Sequence, residues 1–350
     1  MLQEELFDVT VIGGGPAGLY STFYSGLREM KTKLIEFQPF LGGKVHVYPE
    51  KMIWDIGGLT PTPGAQLIEQ IVKQGLTFDP EVVLNEKIES ITRSADHIFE
   101  LQGSSGRIHY SKTVIIAVGG GILNPKKIAI EGAEKFEVTN LHYTVKSLKR
   151  FKDKNVIISG GGNTAVDWAM ELLPFAKKIY ITYRKEALSG HEANVTLLMN
   201  SSKVECLFHT EITKLLASSG DEVVEHVELT NSKTGTVSQL AIDEVVINHG
   251  YEMDSSLLKN SKLNIEMVED WYVKGSPSGE SSVPGLYAAG DILMHEGKLH
   301  LIAGAFQDAA NAVNRAKSYI QPDANKYGMV SSHNEVFKER NRELVKQMMV

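Results

Sequence analysis

A glycine-rich run near the start of the sequence has the residue types and the spacing of a phosphate-binding turn. It reads GGGPAG, in which Gly13, Gly15 and Gly18 fit the pattern G-x-G-x-x-G. Between a strand and a helix, glycines at these positions allow a tight turn, a close approach of a pyrophosphate to backbone N–H groups, and close packing of the helix. Glu36 ends the next predicted strand, where an acidic side chain can hydrogen-bond ribose hydroxyls. These residues predict a dinucleotide site.

A second run of the same kind lies in the middle of the chain and reads GGGNTA. Gly160 and Gly162 take the places of the first two glycines, and Ala165 replaces the third, a change that still permits close helix packing. Asn163 and Thr164, inside the run, are included in this second predicted dinucleotide site.

The residues at the end of the following strand differ in charge between the two runs. The second run has no acid there and is followed by Arg184 and Lys185. Arginine can pair with a 2′-phosphate through two parallel hydrogen bonds, whereas a carboxylate would repel it. The second site is therefore predicted to bind NADP, although a solvated strand end remains an alternative reading of Arg184 and Lys185.

A late run, GLYAAGD at 285–291, favours FAD over NAD at the first site. Asp291 follows a strand end of small residues and could hydrogen-bond a ribitol hydroxyl, a group that NAD lacks. The helix predicted from 304 could direct its positive end at the flavin. The alternative reading of Asp291 is an ordinary helix N-cap.

The elements that must position these groups follow one plan twice. Each copy has a strand, a glycine turn, a helix, a second strand and a late strand that ends in glycine. The predicted strands are 8–12, 33–37 and 113–118 in the first copy, and 155–159, 178–183 and 244–248 in the second. This pattern predicts an α/β fold with two Rossmann-like, three-layer, dinucleotide-binding domains.

Composition limits the classes of protein that remain. Acidic residues number 43 and basic residues 36, and the formal charge of -7 argues against nucleic-acid binding. With Cys206 as the single cysteine, a disulfide within the chain, a CxxC pair and a cysteine-rich metal site are impossible, and no metal is predicted. Cys206 is expected to be buried in the core. No signal-peptide pattern or long apolar run is seen, so a cytoplasmic protein without membrane attachment is expected.

The order of the motifs resembles that of the two-dinucleotide-domain flavoprotein reductases, most closely thioredoxin reductase. The motifs are GGGPAG, TVIIAVGGG, GGGNTA and GLYAAGD, and the resemblance covers nearly the whole chain. It implies a thioredoxin-reductase-like arrangement in which the NADP-binding domain is inserted into the FAD-binding domain. The FAD domain would be 1–122 and 285–350, with a C-terminal extension from about 321, and the NADP domain would be 123–284.

Thioredoxin reductases carry a CxxC pair that this chain lacks, so dithiol chemistry is excluded by residue count. The sequence is similar instead to the thioredoxin-reductase-like (type 2) ferredoxin–NADP reductases, which keep the architecture without that pair. The shared runs are GGK at 42–44, YPEK at 48–51, DIGG at 55–58 and SSH at 331–333.

This second resemblance implies roles for individual residues. Tyr48 would stack on the flavin ring and His333 would shield its other face. The further FAD contacts implied are Glu36, Lys44, Ile88 against the adenine, Leu123, Asp291 and Ser332. Without the resemblance, Tyr48 is a turn aromatic and His333 is a histidine in a polar tail.

The implied activity is electron transfer between NADPH and ferredoxin or flavodoxin by a homodimer that uses FAD. Hydride would pass to the flavin and single electrons to the carrier, with no catalytic residue beyond the flavin and its stacking side chains. A basic stretch at 126–154 could dock an acidic carrier, although a solvated helix and linker explains it equally well. The alternatives are an NADPH oxidase or diaphorase and a noncatalytic NADPH-sensing flavoprotein.

Overall fold

The computed structural model describes residues 5–120, 124–217, 222–252, 254–328 and 330–349, and only the backbone of residues 333 and 336. The chain divides into two compact units. The first unit is Met1–His46, Lys51–Ile122 and Met253–Val350, and the second is Val47–Glu50 and Leu123–Glu252.

In chain order, the strands are β1 (Leu6–Ile12), β2 (Thr32–Ile35), β3 (Met52–Ile53), β4 (Thr62–Pro63), β5 (Glu81–Val83), β6 (Ile88–Arg93), β7 (Phe99–Gly103), β8 (Ile108–Ile116), β9 (Leu141–His142), β10 (Asn155–Ser159), β11 (Lys178–Tyr183), β12 (Val204–Phe208), β13 (Thr210–Ala217), β14 (Val224–Asn231), β15 (Val237–Ala241), β16 (Glu244–Ile247), β17 (Met267–Val268), β18 (Tyr272–Lys274), β19 (Leu286–Ala288) and β20 (Leu293–Met294). The helices are α1 (Pro16–Leu27), α2 (Gly64–Gly75), α3 (Asn163–Leu172), α4 (Glu192–Met199), α5 (Ser256–Asn260), α6 (Ile302–Ile320) and α7 (Lys338–Met348).

The main sheet of the first unit has the order β5-β2-β1-β8-β7-β6, and β19 also pairs with β8. β1 runs parallel to β2 and to β8, and β19 runs parallel to β8. In this register Ile12 lies opposite both Ile35 and Ile116, and Ile116 also lies opposite Ala288. The segments that follow these strands, which carry the first glycine run, Glu36 and Asp291, therefore leave the sheet at the same carboxyl edge.

The central strands are apolar because the sheet is covered on both faces, as is usual for parallel strands. Val9 and Val11 of β1 are fully buried. α1 packs against β1, α2 and α6. The core of the first unit therefore fixes the start of α1 next to the edge at which a ligand can bind.

The segment 253–284 is where the compact units differ from the domains expected from the sequence. The sequence pattern assigns it to the inserted domain, but the structure places it in the first unit. Leu257 and Leu258 of α5, together with Trp271 and Val273, share a buried cluster with Ile12 and other side chains of the first unit. Burial of these apolar groups places the segment in the first compact unit, and the boundary of the cofactor-binding domains stays a prediction.

The second unit contains a parallel sheet of order β12-β11-β10-β16-β9 and a separate antiparallel sheet, β13-β14-β15. Ser159 at the end of β10 lies opposite Thr182 of β11 and Ile247 of β16. The second glycine run, Arg184 and residues 248–249 therefore follow strands that end at one carboxyl edge. The predicted strands at 155–159 and 178–183 are confirmed at those bounds.

Of two further features, the edge strand β12 and the C-terminal tail, only the first differs from the sequence expectation. Cys206 is partly exposed rather than fully buried, because β12 is the edge strand of its sheet. The charged tail contains a helix, α7, whose apolar side chains Leu344 and Val345 are exposed. Within the described ranges, no helix is long and apolar enough to cross a membrane, and no group of three or more His, Cys, Asp or Glu residues could hold a metal ion.

Candidate cofactor sites

The first glycine run forms a tight turn between β1 and α1. A Cβ atom on Gly13 would overlap the carbonyl oxygen of Ala117, and one on Gly18 would overlap the carbonyl oxygen of Gly13. Gly15 is the N-cap of α1, and none of the described side chains caps this helix. The turn is therefore closed behind the helix start, and no described side chain caps the first N–H groups of α1.

Glu36 joins the end of β2 to this turn. Its Oε2 accepts a hydrogen bond from the Gly14 N–H (2.5 Å), and its Oε1 accepts one from the Gln38 N–H (2.7 Å). Each carboxylate oxygen has a further lone pair. The side chain thus stands beside the glycine turn and ties it down, which the sequence did not reveal, whereas its contact with ribose hydroxyls stays a prediction.

The GGK run packs against the same turn. The Gly42 N–H donates to the Gly14 carbonyl (2.8 Å), and a Cβ on Gly43 would lie 2.7 Å from the Gly15 Cα. Lys44 is exposed on this loop, and Ile88 is buried in the core cluster that contains Ile12. Lys44 is therefore held close to the turn, whereas the adenine contact of Ile88 stays a prediction.

Asp291 lies in a short 3-10 turn, Gly290–Ile292, directly after β19. Its side chain is 47% exposed, and His300 Nδ1 is 3.7 Å from its Oδ1. Behind it, Asp308 of α6 and Lys298 form a buried ion pair that contacts the backbone of Gly290. Sequence reasoning missed Lys298 and Asp308, since neither lies in a recognisable motif.

The C-terminal extension lies at the other end of α1. Arg28, just after α1, donates to the side chain of Asn314 (2.7 Å) and to the Asn325 carbonyl (2.6 Å). Asn334 donates to the Leu27 carbonyl. Since α1 has 12 residues and rises ~1.5 Å per residue, this contact is ~18 Å along the helix from the glycine turn.

The structure therefore does not bring Ser332 together with the first glycine turn of its own chain. Ser332 is exposed in the 3-10 turn Ser331–His333, beside the end of α1 that lies at the amino edge of the sheet. The backbone of His333 belongs to the same turn. The predicted flavin contacts of both residues stay predictions.

The second glycine run repeats the geometry of the first. A Cβ on Gly160 would overlap the carbonyl oxygen of Asn248, and one on Gly161 would overlap the ring of Tyr183. Gly162 is the N-cap of α3, and within the described chain nothing lies within 4 Å of the position of its missing Cβ. Ala165 is buried against the core. Open space therefore lies in front of the start of α3.

The predicted polar residues of the second site are exposed at the same edge of the sheet. Asn163 and Thr164 form the exposed start of α3, and Arg184 and Lys185 follow β11. The structure thus brings a helix start and two cationic side chains to neighbouring strand ends. This arrangement suits a phosphate-bearing ligand.

His249 also belongs to this edge, and sequence reasoning missed it. Its Nε2 is 2.9 Å from the Ser159 hydroxyl, immediately before the glycine run. Although part of His249 is exposed, loss of water around its ring, and then the positive charge of Arg184, lower its pKa, while Glu211 acts in the opposite direction. His249 is therefore near enough to Arg184 for the charge of the guanidinium to act on the imidazole.

The lowered pKa predicts a pH-dependent stability. An unfolded histidine takes up a proton near pH 6.5. The folded state resists that proton, so the stabilisation by neutral His249 is complete above this pH and is lost as the pH falls toward the folded pKa. We expect His249→Gln to lose less unfolding free energy between pH 7.5 and pH 5.5 than the wild type, as measured by urea titration.

The control for this prediction is His191→Gln, at an exposed histidine that precedes α4 and makes no side-chain cap for it. It should retain the wild-type dependence on pH. Equal losses in the wild type and in His249→Gln would contradict the assignment.

Tyr48 belongs to the second unit, together with residues 47–50. It packs against the apolar cluster that contains Val145 and Trp168. The neighbouring backbone is held by a hydrogen bond from Thr144 to the Val47 carbonyl (2.6 Å). The predicted flavin stacking of Tyr48 stays a prediction, as does the flavin contact of Leu123.

The donor groups fit two different dinucleotides. Each unit offers an uncapped helix start behind a turn that excludes Cβ atoms, which suits a pyrophosphate. The first turn adds the carboxylates of Glu36 and Asp291, which suit hydroxyl groups. The second turn adds Arg184 and the buried Oδ1 of Asn248, which has no hydrogen-bond partner among the described atoms. The residues thus fit FAD at the first site and NADP at the second.

Comparison with known proteins agrees with this architecture. Residues 7–316 match the family model described as pyridine nucleotide-disulphide oxidoreductase. The crystal structure of Lactococcus lactis thioredoxin reductase (FR conformation) has a TM-score of 0.74 and 23% sequence identity, covering 90% of this chain and 99% of that chain. This likeness concerns the fold alone and confirms the predicted fold class. The chain is an oxidoreductase of the pyridine nucleotide-disulphide oxidoreductase family.

Within that class, the chain belongs to the ferredoxin–NADP reductases. It is 73% identical over 349 residues to ferredoxin–NADP reductase 1 of Bacillus mycoides (strain KBAB4), with 100% of both sequences covered. The same identity and coverage hold for ferredoxin–NADP reductase 1 of Bacillus anthracis. The family predicted from the sequence motifs is therefore confirmed.

Proposed function

We propose that this oxidoreductase uses FAD to move electrons between NADPH and ferredoxin, with flavodoxin as an alternative carrier. The observation that carries the proposal is the opposite charge of the two matching glycine-turn sites. Glu36 stands beside the first turn, and Arg184 stands beside the second. Two like sites for one dinucleotide would not need this difference.

The first unit would hold FAD. The N–H groups at the start of α1 would receive the pyrophosphate, and Glu36 would bind the ribose hydroxyls next to the adenine. Asp291 would hydrogen-bond the ribitol from the neighbouring strand end. The start of α6, which no described side chain caps, would offer free N–H groups and a positive helix end to the flavin.

The second unit would hold NADPH. The start of α3 would receive its pyrophosphate, and Arg184 with Lys185 would bind the 2′-phosphate. When bound, FAD supplies the change from the two-electron chemistry of NADPH to the one-electron chemistry of an iron–sulfur carrier. The protein residues bind and orient the cofactors, so no acid–base dyad is required.

The carrier is proposed from the names of the relatives and from their high identity over the full chain. The basic stretch at 126–154 gives this docking proposal limited support. Lys127 pairs with Glu137 (2.8 Å), and Arg150 pairs with Glu244 (3.2 Å), so part of its charge is neutralised within the protein.

A homodimer completes the proposal. Within one chain, Ser332 lies at the sheet edge opposite the glycine turn. If Ser332 and His333 contact flavin as the family resemblance implies, they would do so at the site of a second copy. This placement supports a dimer in which the C-terminal extension serves the other subunit.

Cytochrome c reduction by the purified protein and NADPH tests the carrier. We expect the rate to rise steeply when ferredoxin is added, because ferredoxin would take single electrons from the enzyme and pass them to cytochrome c. Flavodoxin and oxygen are compared as acceptors in parallel. If neither carrier changes the rate of cytochrome c reduction and oxygen is consumed rapidly, the protein would instead be an oxidase or diaphorase. Absence of flavin reduction by NADPH would indicate a noncatalytic sensor.

A further inference from the structure

We propose that the buried ion pair of Lys298 and Asp308 positions Asp291 for FAD binding. The proposal rests on the function proposed above and adds two positioning residues to it. The two side chains are 3% and 7% exposed, respectively. Neither belongs to a glycine turn, and neither is adjacent in sequence to Asp291.

The pair holds both backbone polar groups of Gly290, the residue before Asp291. The Gly290 N–H donates to Asp308 Oδ2 (3.1 Å), and Lys298 Nζ donates to the Gly290 carbonyl (2.8 Å). Asp308 comes from α6, and Lys298 comes from the loop that precedes this helix. The chain entering Asp291 is therefore fixed on both sides by charged groups that are themselves paired.

Gly290 is also pressed against the first turn of α1. Its φ of +76° lies in the left-handed region that favours glycine, and a Cβ there would lie 2.8 Å from the Cβ of Ala17. Any displacement of Gly290 therefore changes the position of Asp291 relative to the glycine turn. Asp291 itself makes no comparable anchoring contact among the described residues, since its nearest ionic partner, His300, is half exposed and 3.7 Å away.

A third polar group faces the pair. His295 Nδ1 donates to the Glu296 carbonyl (2.7 Å), and its Nε2 is 3.6 Å from Asp308 Oδ1. Asp308 is thus surrounded by Lys298, His295 and the Gly290 N–H. Removing one member would leave another buried polar group unpaired, which is why a single substitution is a poor test.

Burial of an ion pair does not by itself explain its presence here. Replacing such a pair with apolar side chains of similar size is often neutral or stabilising. What apolar side chains cannot do is accept from one backbone group and donate to another. The geometry of the pair at Gly290 is therefore consistent with a role in positioning rather than in overall stability.

The test compares FAD binding by the apoprotein of the wild type and of Lys298→Met/Asp308→Leu. FAD affinity is measured by fluorescence titration, folding by circular dichroism and thermal melting, and the flavin environment by its visible spectrum and midpoint potential. We expect the double variant to fold but to melt at a lower temperature, because the two backbone groups of Gly290 lose their partners. Under conditions in which it is fully folded, it should bind FAD at least about tenfold more weakly, since the charged hydrogen bond of Asp291 is misplaced. The flavin that remains bound should show a shifted spectrum and potential.

The control is Lys112→Met/Asp8→Leu, which removes a more exposed ion pair (2.8 Å) between β1 and the middle of β8. It should leave FAD affinity and the flavin spectrum unchanged. Lys298→Arg, which keeps a cation for Asp308 and donors for the Gly290 carbonyl, should retain more FAD affinity than the double variant.

The outcomes separate this proposal from the proposed function. Wild-type FAD affinity and spectrum in a folded double variant would overturn the positioning role alone. The FAD affinity could instead fall only in proportion to a loss of folding, while the spectrum of the bound flavin stays unchanged. That result would show that the pair has a structural role, and it would also overturn the proposal. Failure of the wild-type apoprotein to bind FAD would overturn both proposals.

Discussion

Replacing Gly18 with alanine is expected to abolish tight FAD binding. The added Cβ would overlap the carbonyl oxygen of Gly13, so either the turn or α1 must move. Because both are packed on the central strand β1, neither can move without opening the site or the core. The purified variant should carry almost no flavin, as measured by the ratio of absorbance at the flavin band to that at the protein band.

The control is Gly57→Ala in the same unit, where nothing in the described chain lies within 4 Å of the added Cβ. This variant should retain wild-type flavin content. The second turn has Ala165 at the place that corresponds to Gly18, so the prediction concerns the close approach at Gly13 and not glycine turns in general. Full flavin content in Gly18→Ala would contradict the proposed site.

Replacing Arg184 with alanine should raise the KM for NADPH by about 10- to 100-fold, which is the loss expected for hydrogen bonds to a charged group. The KM for NADH should hardly change, because NADH has no 2′-phosphate. The measurement is steady-state flavin-dependent reduction of an artificial acceptor with each nucleotide. The preference of the enzyme for NADPH over NADH should therefore become smaller or reverse.

Lys178→Ala is the matched control, since Lys178 begins β11, the strand that Arg184 follows. This variant removes a cationic side chain at the opposite edge of the sheet from Arg184. Lys178 pairs there with Glu205 (3.4 Å). Both KM values should remain near those of the wild type. Equal increases for NADPH and NADH in Arg184→Ala would rule out a specific contact with the 2′-phosphate.

Local sequence patterns predicted the parts of this protein that depend on neighbouring residues. The strand, glycine turn, helix and second strand lie within one short segment in each copy, so side-chain periodicity and glycine spacing define them directly. Glu36 was predicted beside the first turn, and Arg184 beside the second, because each residue directly follows a strand. Parallel pairing then brings the strand ends to one edge.

The domain boundary could not be predicted in the same way. The segment 253–284 follows the last strand of the second copy, and its sequence does not indicate which core it joins. The structure assigns it to the first unit because Leu257, Leu258 and Trp271 are buried there. The core into which this segment packs depends on which apolar surface remains uncovered after both sheets have formed.

The sequence by itself determined the fold class, the two glycine turns and the family of this protein. Only the tertiary structure placed His249 next to Ser159, joined Lys298 and Asp308 to the Gly290 backbone, and put Ser332 at the far end of α1. The physical reason is that a glycine turn depends on short-range steric limits, which residues close together in the sequence meet. A buried charge or a docked extension is instead defined by partners that are distant in sequence and meet only when the core has formed.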